Sequence, residues 1–345
     1  MSRIIYGIAG EGMGHAVKNR VILEELIKKN DIKIVASGKA HTYLKKFFNV
    51  EKIDHFKFIY RNNKVSNSLT LINNILGLPK IFIKGCRVNK LIKEFKPDLV
   101  ITDFEPLVVY LALLNNIPII SIDNQHAITN AKHKISKIYW LNFLMAKLVI
   151  KLFIIKSDKQ IITSFFPLRL KNTSSVLVKP ILCNKILKLK SSYKNHIFVY
   201  QTSKSNKKLL NELRRMDEIF IVYGFYQEQT IGNLTFRDFN EKEFYSDLSS
   251  CKAVITNGGF MMISEALYLK KPILSIPVKK QFEQTLNAIY LEKLGYGMFA
   301  KKTSKDIIER FLKSIPRFRN KLKDYKKYDN KEAFKEIDNA IKSSS

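Results

Sequence analysis

The chain has 345 residues, 46% of them apolar and 26% charged, a length and composition that fit two folded domains and exclude a disordered chain. Lys and Arg total 60 against 30 for Asp and Glu, and the formal net charge of +30 favours anionic partners: nucleic acid, acidic headgroups or phosphorylated substrates. The three cysteines, Cys86, Cys183 and Cys251, form no CxxC pair, which argues against a disulfide framework or a structural zinc site and fits a reducing cytoplasm.

The N-terminus, MSRIIYGIAGEGMGH, lacks the long apolar region and small-residue cleavage site of a signal peptide. Arg3–Ala9 reads as a strand and Gly14–Asn30 as a helix, with Val17, Val21, Leu23 and Leu26 near its apolar face. A strand at Ile32–Ala36 and a helix at Ala40–Phe48 follow, then a mostly helical stretch from Leu69 to Phe95, broken near Pro79. Asp98–Thr102 is a strand, Pro106–Leu114 a helix and Pro118–Ile122 a strand. The nearest approach to a membrane span is Ile138–Ile155, which Lys147 and Lys151 interrupt on one helical face. A charge near the centre of a span costs about 2.5–3.5 kcal/mol, so the segment is expected as a buried or interfacial helix. Strands at Gln160–Thr163 and Ser175–Val178 end the first half.

Leu182–Asn195 has little apolar order and reads as a linker. A second alternation follows, with strands at His196–Tyr200, Glu218–Tyr223, Leu234–Arg237, Ala253–Thr256 and Pro272–Ile276. Its helices start near Lys207, Glu241, Met261 and Phe282, and a Lys-rich helical tail runs from Ser304. The expected fold is α/β: two doubly wound Rossmann-like domains, 1–182 and 196–315, facing a cleft, with a helical tail over 316–345. Ligands of such sheets bind outside the carboxyl ends of the strands.

Gly10-Glu11-Gly12-Met13-Gly14-His15 joins the first strand to the first helix. Gly12 and Gly14 let the backbone approach a phosphate, and the helix start attracts anions. A dinucleotide-binding loop would require an acidic residue at the end of the second strand, where Ser37 and Gly38 stand instead. His15 lies in the first helical turn, where the dipole disfavours its cation, and a neutral imidazole there can act as general base. The alternative is a structural histidine bonded to a neighbouring strand. Asp103 and His126 are further candidates at strand ends, although Asp103 is equally suited to cap the helix at Pro106.

Ala253–Gly297 carries the densest pattern. Gly258-Gly259 opens a helix after a strand, and Glu265 follows two turns in, a carboxylate that can accept both hydroxyls of a ribose. Gln281 lies in the next loop, and Gln284 and Asn287 share a helical face with amides that suit sugar hydroxyls. The glycine pair, Glu265-Ala266-Leu267, Lys271-Pro272, Pro277 and the Gln284-to-Asn287 spacing resemble the donor half of GT-B glycosyltransferases. The resemblance is strongest to the MurG-like (family 28 type) transferases, and the GxGMGH, DFEP and NQH stretches are similar to one group of these.

The resemblance implies that Glu265 holds the donor ribose, Gly258 and Gly259 lie beside the diphosphate, and Gln284 and Asn287 contact the sugar. It implies a nucleotide-sugar, of the UDP type, as co-substrate, with no cofactor and no bound metal, and displacement with inversion. Tyr200-Gln201-Thr202-Ser203 departs from the glycines usual in that loop and leaves the hydroxyls of Thr202 and Ser203 as phosphate ligands.

Lys80, Lys84, Arg87 and Lys90 form a basic helical stripe beside Ile81, Phe82 and Ile83, and Lys147, Lys151 and Lys156 repeat the theme. Each Lys at an anionic membrane surface is worth about 1 kcal/mol. The expected partners are a UDP-sugar, a lipid or glycan acceptor and an anionic membrane at its cytoplasmic face. Nucleic acid is not expected, because no nucleic-acid module is recognisable and the stripes carry few aromatics for base stacking. Two other readings share the fold: a UDP-sugar 2-epimerase-type isomerase, and a non-catalytic nucleotide- or membrane-binding protein.

Overall fold

The computed structural model describes residues 1–54, 60–61, 64–65, 85–201 and 206–344. The chain forms two compact units. One holds the N-terminal residues through Cys183 together with Asp329–Ser345; the other spans Asn184–Tyr328 and takes in a short ladder of β4 and β5.

In chain order the first part comprises β1 (Arg3–Ile8), α1 (Met13–Leu26), β2 (Asp31–Ser37), α2 (Gly38–Leu44), β3 (Val50–Ile53), β4 (Tyr60–Arg61) and β5 (Lys64–Val65). Helix α3 covers 85–95. Then come β6 (Leu99–Asp103), α4 (Pro106–Leu114), β7 (Ile119–Asp123), α5 (His126–Asn130), α6 (Trp140–Phe153), β8 (Lys159–Thr163) and β9 (Ser175–Val178). The sheet runs β3-β2-β1-β6-β7-β8-β9 and every pairing is parallel. Ile4, Ile5, Leu99, Val100, Ile101, Ile120 and Ile122 are fully buried, as strands covered on both faces must be. Each such side chain contributes roughly 1.5–3 kcal/mol by leaving water. Strand order reverses between β1 and β6, so the loops leaving these two strands diverge and leave a crevice at their carboxyl ends.

The second unit contains α7 (Asn184–Lys188), β10 (His196–Tyr200), α8 (Lys207–Leu213), β11 (Ile219–Tyr223), β12 (Gln229–Ile231), β13 (Leu234–Arg237), α9 (Glu241–Ser250) and β14 (Ala253–Thr256). It continues with α10 (Phe260–Tyr268), β15 (Ile273–Ser275), α11 (Phe282–Lys293), β16 (Gly297–Phe299) and α12 (Lys305–Leu322). Its sheet runs β12-β13-β11-β10-β14-β15-β16, parallel except for the β12–β13 hairpin. The order reverses between β10 and β14, so a second crevice opens beside Asn257 and Gly258.

The C-terminal region differs from a tail appended at 316. Helix α12 runs through Pro316, because Ile308, Phe311, Ile315, Phe318 and Leu322 form a buried stripe that holds it in the second core. The last helix, α13 (Lys331–Ser344), packs on β7, β8 and β9 of the first unit. Buried Asn330 pairs with the Leu182 peptide in both directions, at 3.0 and 2.7 Å, and Lys29 pairs with Asp338 at 2.9 Å. The expected linker is also not bare, since α7 lies within it.

Candidate functional site

In the first unit the loop after β1 presses against the end of β2. A Cβ on Gly10 would lie 2.5 Å from the Ser37 carbonyl carbon and 2.7 Å from the Gly38 nitrogen, so only glycine fits. Gly12 caps α1 at φ +83°, and Gly14 is the second residue of that helix.

His15, on the first turn of α1, meets Asp103 at the end of β6, with Nδ1 to Oδ2 at 2.8 Å. Asp103 is fully buried, and its Oδ1 accepts from the Lys18 ammonium at 2.9 Å. The Asn19 amide donates to Oδ2 and also to the His15 carbonyl, while Asn19 Oδ1 accepts from the Tyr6 hydroxyl. Burial alone would raise the Asp103 carboxyl, but the charges of His15 and Lys18, with their hydrogen bonds, outweigh it and hold it below its ordinary range. An ionised carboxylate has no proton to give, so His15 Nδ1 is the donor, and in the neutral form of the ring the lone pair is on Nε2.

A second pair lies one strand over. His126 Nδ1 is 2.7 Å from Asp123 Oδ2, and the His126 backbone N–H donates to Oδ1 at 2.8 Å. The Ser121 hydroxyl also donates to this carboxylate. Burial works to raise Asp123, but His126 and these donors bring it down to about 2. The side chain of His126 is 7% exposed against 14% for His15, and Asp123 is occupied in fixing the start of α5. A base must reach its substrate, so exposure ranks His15 first.

Asp103 does not cap α4. Glu105 does, accepting from Leu107 N at 3.2 Å, while its other oxygen takes the Ser37 hydroxyl at 3.3 Å. Phe104 between them sits at φ +57°, and this turn lets Asp103 meet α1 while Glu105 meets the end of β2. Burial pushes Glu105 up to about 8, against the Leu107 N–H, Ser37 and His15.

In the second unit Gly258 has φ +88°, and a Cβ there would come within 2.7 Å of Ser275 Oγ and 2.9 Å of the Gln284 carbonyl oxygen. Gly259 caps α10 without a side chain, so no side-chain cap covers the N–H groups of its first turn. Glu265 is buried on α10 and makes no side-chain hydrogen bond or ion pair with any described residue. Burial, with a smaller push from Glu241, raises it to about 8.

Gln284 and Asn287 are buried and hold the loops of this crevice. Gln284 Oε1 accepts from Val278 N at 2.9 Å, and Asn287 Nδ2 donates to the Gly258 carbonyl at 3.1 Å. Gln281 stands at the N-cap position of α11 without a side-chain cap, and its buried Oε1 has no partner among the described residues. The same holds for the Thr256 and Ser275 hydroxyls, which stand in register at the ends of β14 and β15. Sequence reasoning missed these two hydroxyls, as it missed Gln201, whose Oε1 accepts from Asn206 and Asn257 at 3.1 and 2.9 Å. The only available signal was their position at strand ends.

Thr202, Ser203, Lys80 and Lys84 lie outside the described residues. Arg87 is exposed on α3; Lys147 is half-buried and Lys151 exposed on α6. Among the described residues no three His, Cys, Asp or Glu side chains gather to hold a metal ion, and no helix is long and apolar enough to cross a membrane.

The sequence model of glycosyl transferase family 1 matches residues 2–316. The chain belongs to that family. This glycosyltransferase is 27% identical to an uncharacterized glycosyltransferase of Methanosarcina mazei, over 93% of this chain and 92% of the relative. It is also 27% identical to a UDP-N-acetylglucosamine--N-acetylmuramyl-(pentapeptide) pyrophosphoryl-undecaprenol N-acetylglucosamine transferase of Clostridium botulinum, over 88% and 87%. Phytolacca americana UGT2, solved with UDP-2fluoro-glucose and pterostilbene, superposes with a TM-score of 0.64 at 13% identity, covering 94% and 93%. That likeness shows the fold, which is GT-B.

Proposed function

We propose that this glycosyltransferase moves a sugar from a UDP-sugar to a lipid-linked or other membrane-associated acceptor, with inversion and without a bound metal ion. The observation that carries the donor side is Glu265, a buried carboxyl with no hydrogen-bond or ion-pair partner among the described residues, on the helix whose start is uncapped. A buried polar group left unpaired is costly, and a ribose diol supplies the two donors that Glu265 lacks. Gly259, where a Cβ would meet nothing within 4 Å, leaves room for a diphosphate at the α10 N-terminus, where N–H groups and the helix dipole stabilise the negative charge. The oxygens of Gln281, Thr256 and Ser275, without partners among the described residues, are acceptors for further donor hydroxyls.

On the acceptor side, His15 takes the role of base. The acceptor oxygen attacks the anomeric carbon, the bond to the diphosphate breaks, and the hydroxyl proton passes to His15 Nε2. Asp103 stabilises the imidazolium so formed. The UDP-sugar in the Phytolacca structure and the undecaprenol-linked acceptor in the name of the Clostridium relative support this choice of substrates. Titration with UDP-N-acetylglucosamine and UDP-glucose tests the donor assignment: Glu265→Ala should weaken binding by about 10- to 100-fold, and undiminished affinity would sink it.

A further inference from the structure

Helix α6 is apolar on both sides. Phe143 and Ile150 face the core, the Tyr110 hydroxyl donates to the Leu152 carbonyl at 2.6 Å, and Phe153 stacks on Phe104 at 5.4 Å. On the opposite side Trp140, Leu141, Met145, Leu148, Leu152 and Ile155 are each at least half exposed. Leu141, Met145, Leu148 and Leu152 are spaced by four, three and four residues and make one continuous stripe, with Trp140 at its start and Ile155 just past the helix end. A helix exposing so many large apolar side chains in one line is adapted to a non-aqueous neighbour.

The surroundings say which neighbour. From Lys132 to Lys156 there are six lysines and no acidic residue, and between Asp123 and Glu212 the only acid is Asp158. Asp158 is engaged, accepting from Ile119 N at 2.8 Å. Lys171, from the segment between β8 and β9, lies close enough to Lys147, Lys132 and Lys151 that, after burial, their charges push its ammonium below the usual value. Lys147 and Lys151 border the stripe itself. An apolar stripe edged by uncompensated positive charge is complementary to one surface: acyl chains under anionic headgroups. A second copy of the chain would bring a second set of lysines against the first.

We infer that α6 is an in-plane docking helix for an anionic lipid bilayer, with the stripe from Trp140 to Ile155 entering the acyl boundary and Lys132, Lys147, Lys151 and Lys171 on the headgroups. The inference deepens the membrane-acceptor reading and rests on it for its purpose, but the docking needs neither donor nor acceptor. Phe153 on Phe104 links this helix to the turn that follows Asp103, so the docked face and the residue that holds the candidate base are joined within the first unit.

Trp140 is the chain's only tryptophan, so its fluorescence reports on this helix alone. The full chain is mixed with vesicles of phosphatidylcholine, with or without phosphatidylglycerol. With the anionic vesicles the protein should float and Trp140 emission should shift to the blue, and both effects should weaken in high salt. The double variant Leu141→Glu, Leu148→Glu changes two exposed positions and should lose at least tenfold in partitioning, with its circular dichroism unchanged. Failure to float overturns the inference, as does floating with unchanged Trp140 emission. A blue shift that grows with protein concentration in the absence of vesicles would assign the stripe to self-association instead. Titration with UDP-N-acetylglucosamine or UDP-glucose in the absence of vesicles separates the two readings. A chain that binds either sugar nucleotide but ignores vesicles loses the docking helix only. One that docks but binds neither loses the donor assignment only.

Discussion

Lys18 and Asp103 form an ion pair that water does not reach, 2.9 Å apart with side-chain exposures of 3% and 0%. The same ammonium donates to the Ile122 carbonyl at 2.9 Å, so one buried charge joins the ends of β6 and β7 where the candidate base is held. Lys18→Met leaves the Asp103 carboxylate buried with less compensation and should destabilise the fold by about 3–5 kcal/mol. Asp103 has a folded pKa below its ordinary 3.8, so its stabilisation is complete above that value and is lost as pH falls through the lower folded value. In the variant that loss should begin at higher pH. Thermal melts from pH 7 down to pH 3 check both points.

His15→Ala should lower turnover by about 10²- to 10⁴-fold with little change in donor affinity, because the group acts on the acceptor proton. Asp103→Asn should lower turnover as well, since an amide can donate to Nδ1 and would move the proton to Nε2. An unchanged rate in His15→Ala, measured as UDP release, would move the base to His126.

Donor binding should depend on pH through Glu265. Burial raises this carboxyl to about 8, so near neutrality it is largely protonated before the donor arrives. A ribose diol donates to the ionised form, so binding should release a proton and tighten as pH rises. A pKa of about 8 corresponds to about a tenfold gain in affinity between pH 7 and pH 9, levelling off above. Calorimetry in buffers of different ionisation enthalpy reads the proton directly, and proton uptake would contradict the role given to Glu265.

Gly258→Ala meets a positive φ and two close neighbours, Ser275 Oγ and the Gln284 carbonyl oxygen. The strained backbone should cost about 1–3 kcal/mol, and displacement of the loop should impair donor binding beyond that loss. Gly259→Ala is the control, since a Cβ there would meet nothing within 4 Å. Equal effects in the two variants would count against a close-fitting loop at Gly258.

The doubly wound fold was legible because parallel strands buried on both faces read as continuous apolar runs. Ser175–Val178, His196–Tyr200, Leu234–Arg237 and Ala253–Thr256 fall where the sequence predicts strands. Strands β3, β12 and β16 carry no periodic signal: three or four residues long, and polar in Val50-Glu51-Lys52-Ile53, they are held by pairing rather than by pattern. Helix α13 escaped as a member of the first unit because Asn330 and Leu182 are 148 positions apart.

At the candidate site, His15 and Asp103 could each be singled out from strand ends and a glycine loop. Their bond across 88 positions depends on β1 and β6 becoming neighbours, which no local spacing announces. Lys18 and Asn19 are not legible in the sequence, because polar residues inside a helical pattern read as its solvent face, whereas both are buried. Gln284 and Asn287 were legible as a pair, but their grip on Val278 and Gly258 depends on the loops around them.

The most direct measurement follows a labelled sugar. The full chain is incubated with UDP-sugars labelled in the sugar, with and without a membrane lipid extract. Label should enter the lipid fraction together with an equal amount of UDP, only when lipid is present, and Glu265→Ala and His15→Ala should both suppress this. Isomerised UDP-sugar without UDP release, or tight binding with no turnover on any lipid, would contradict it.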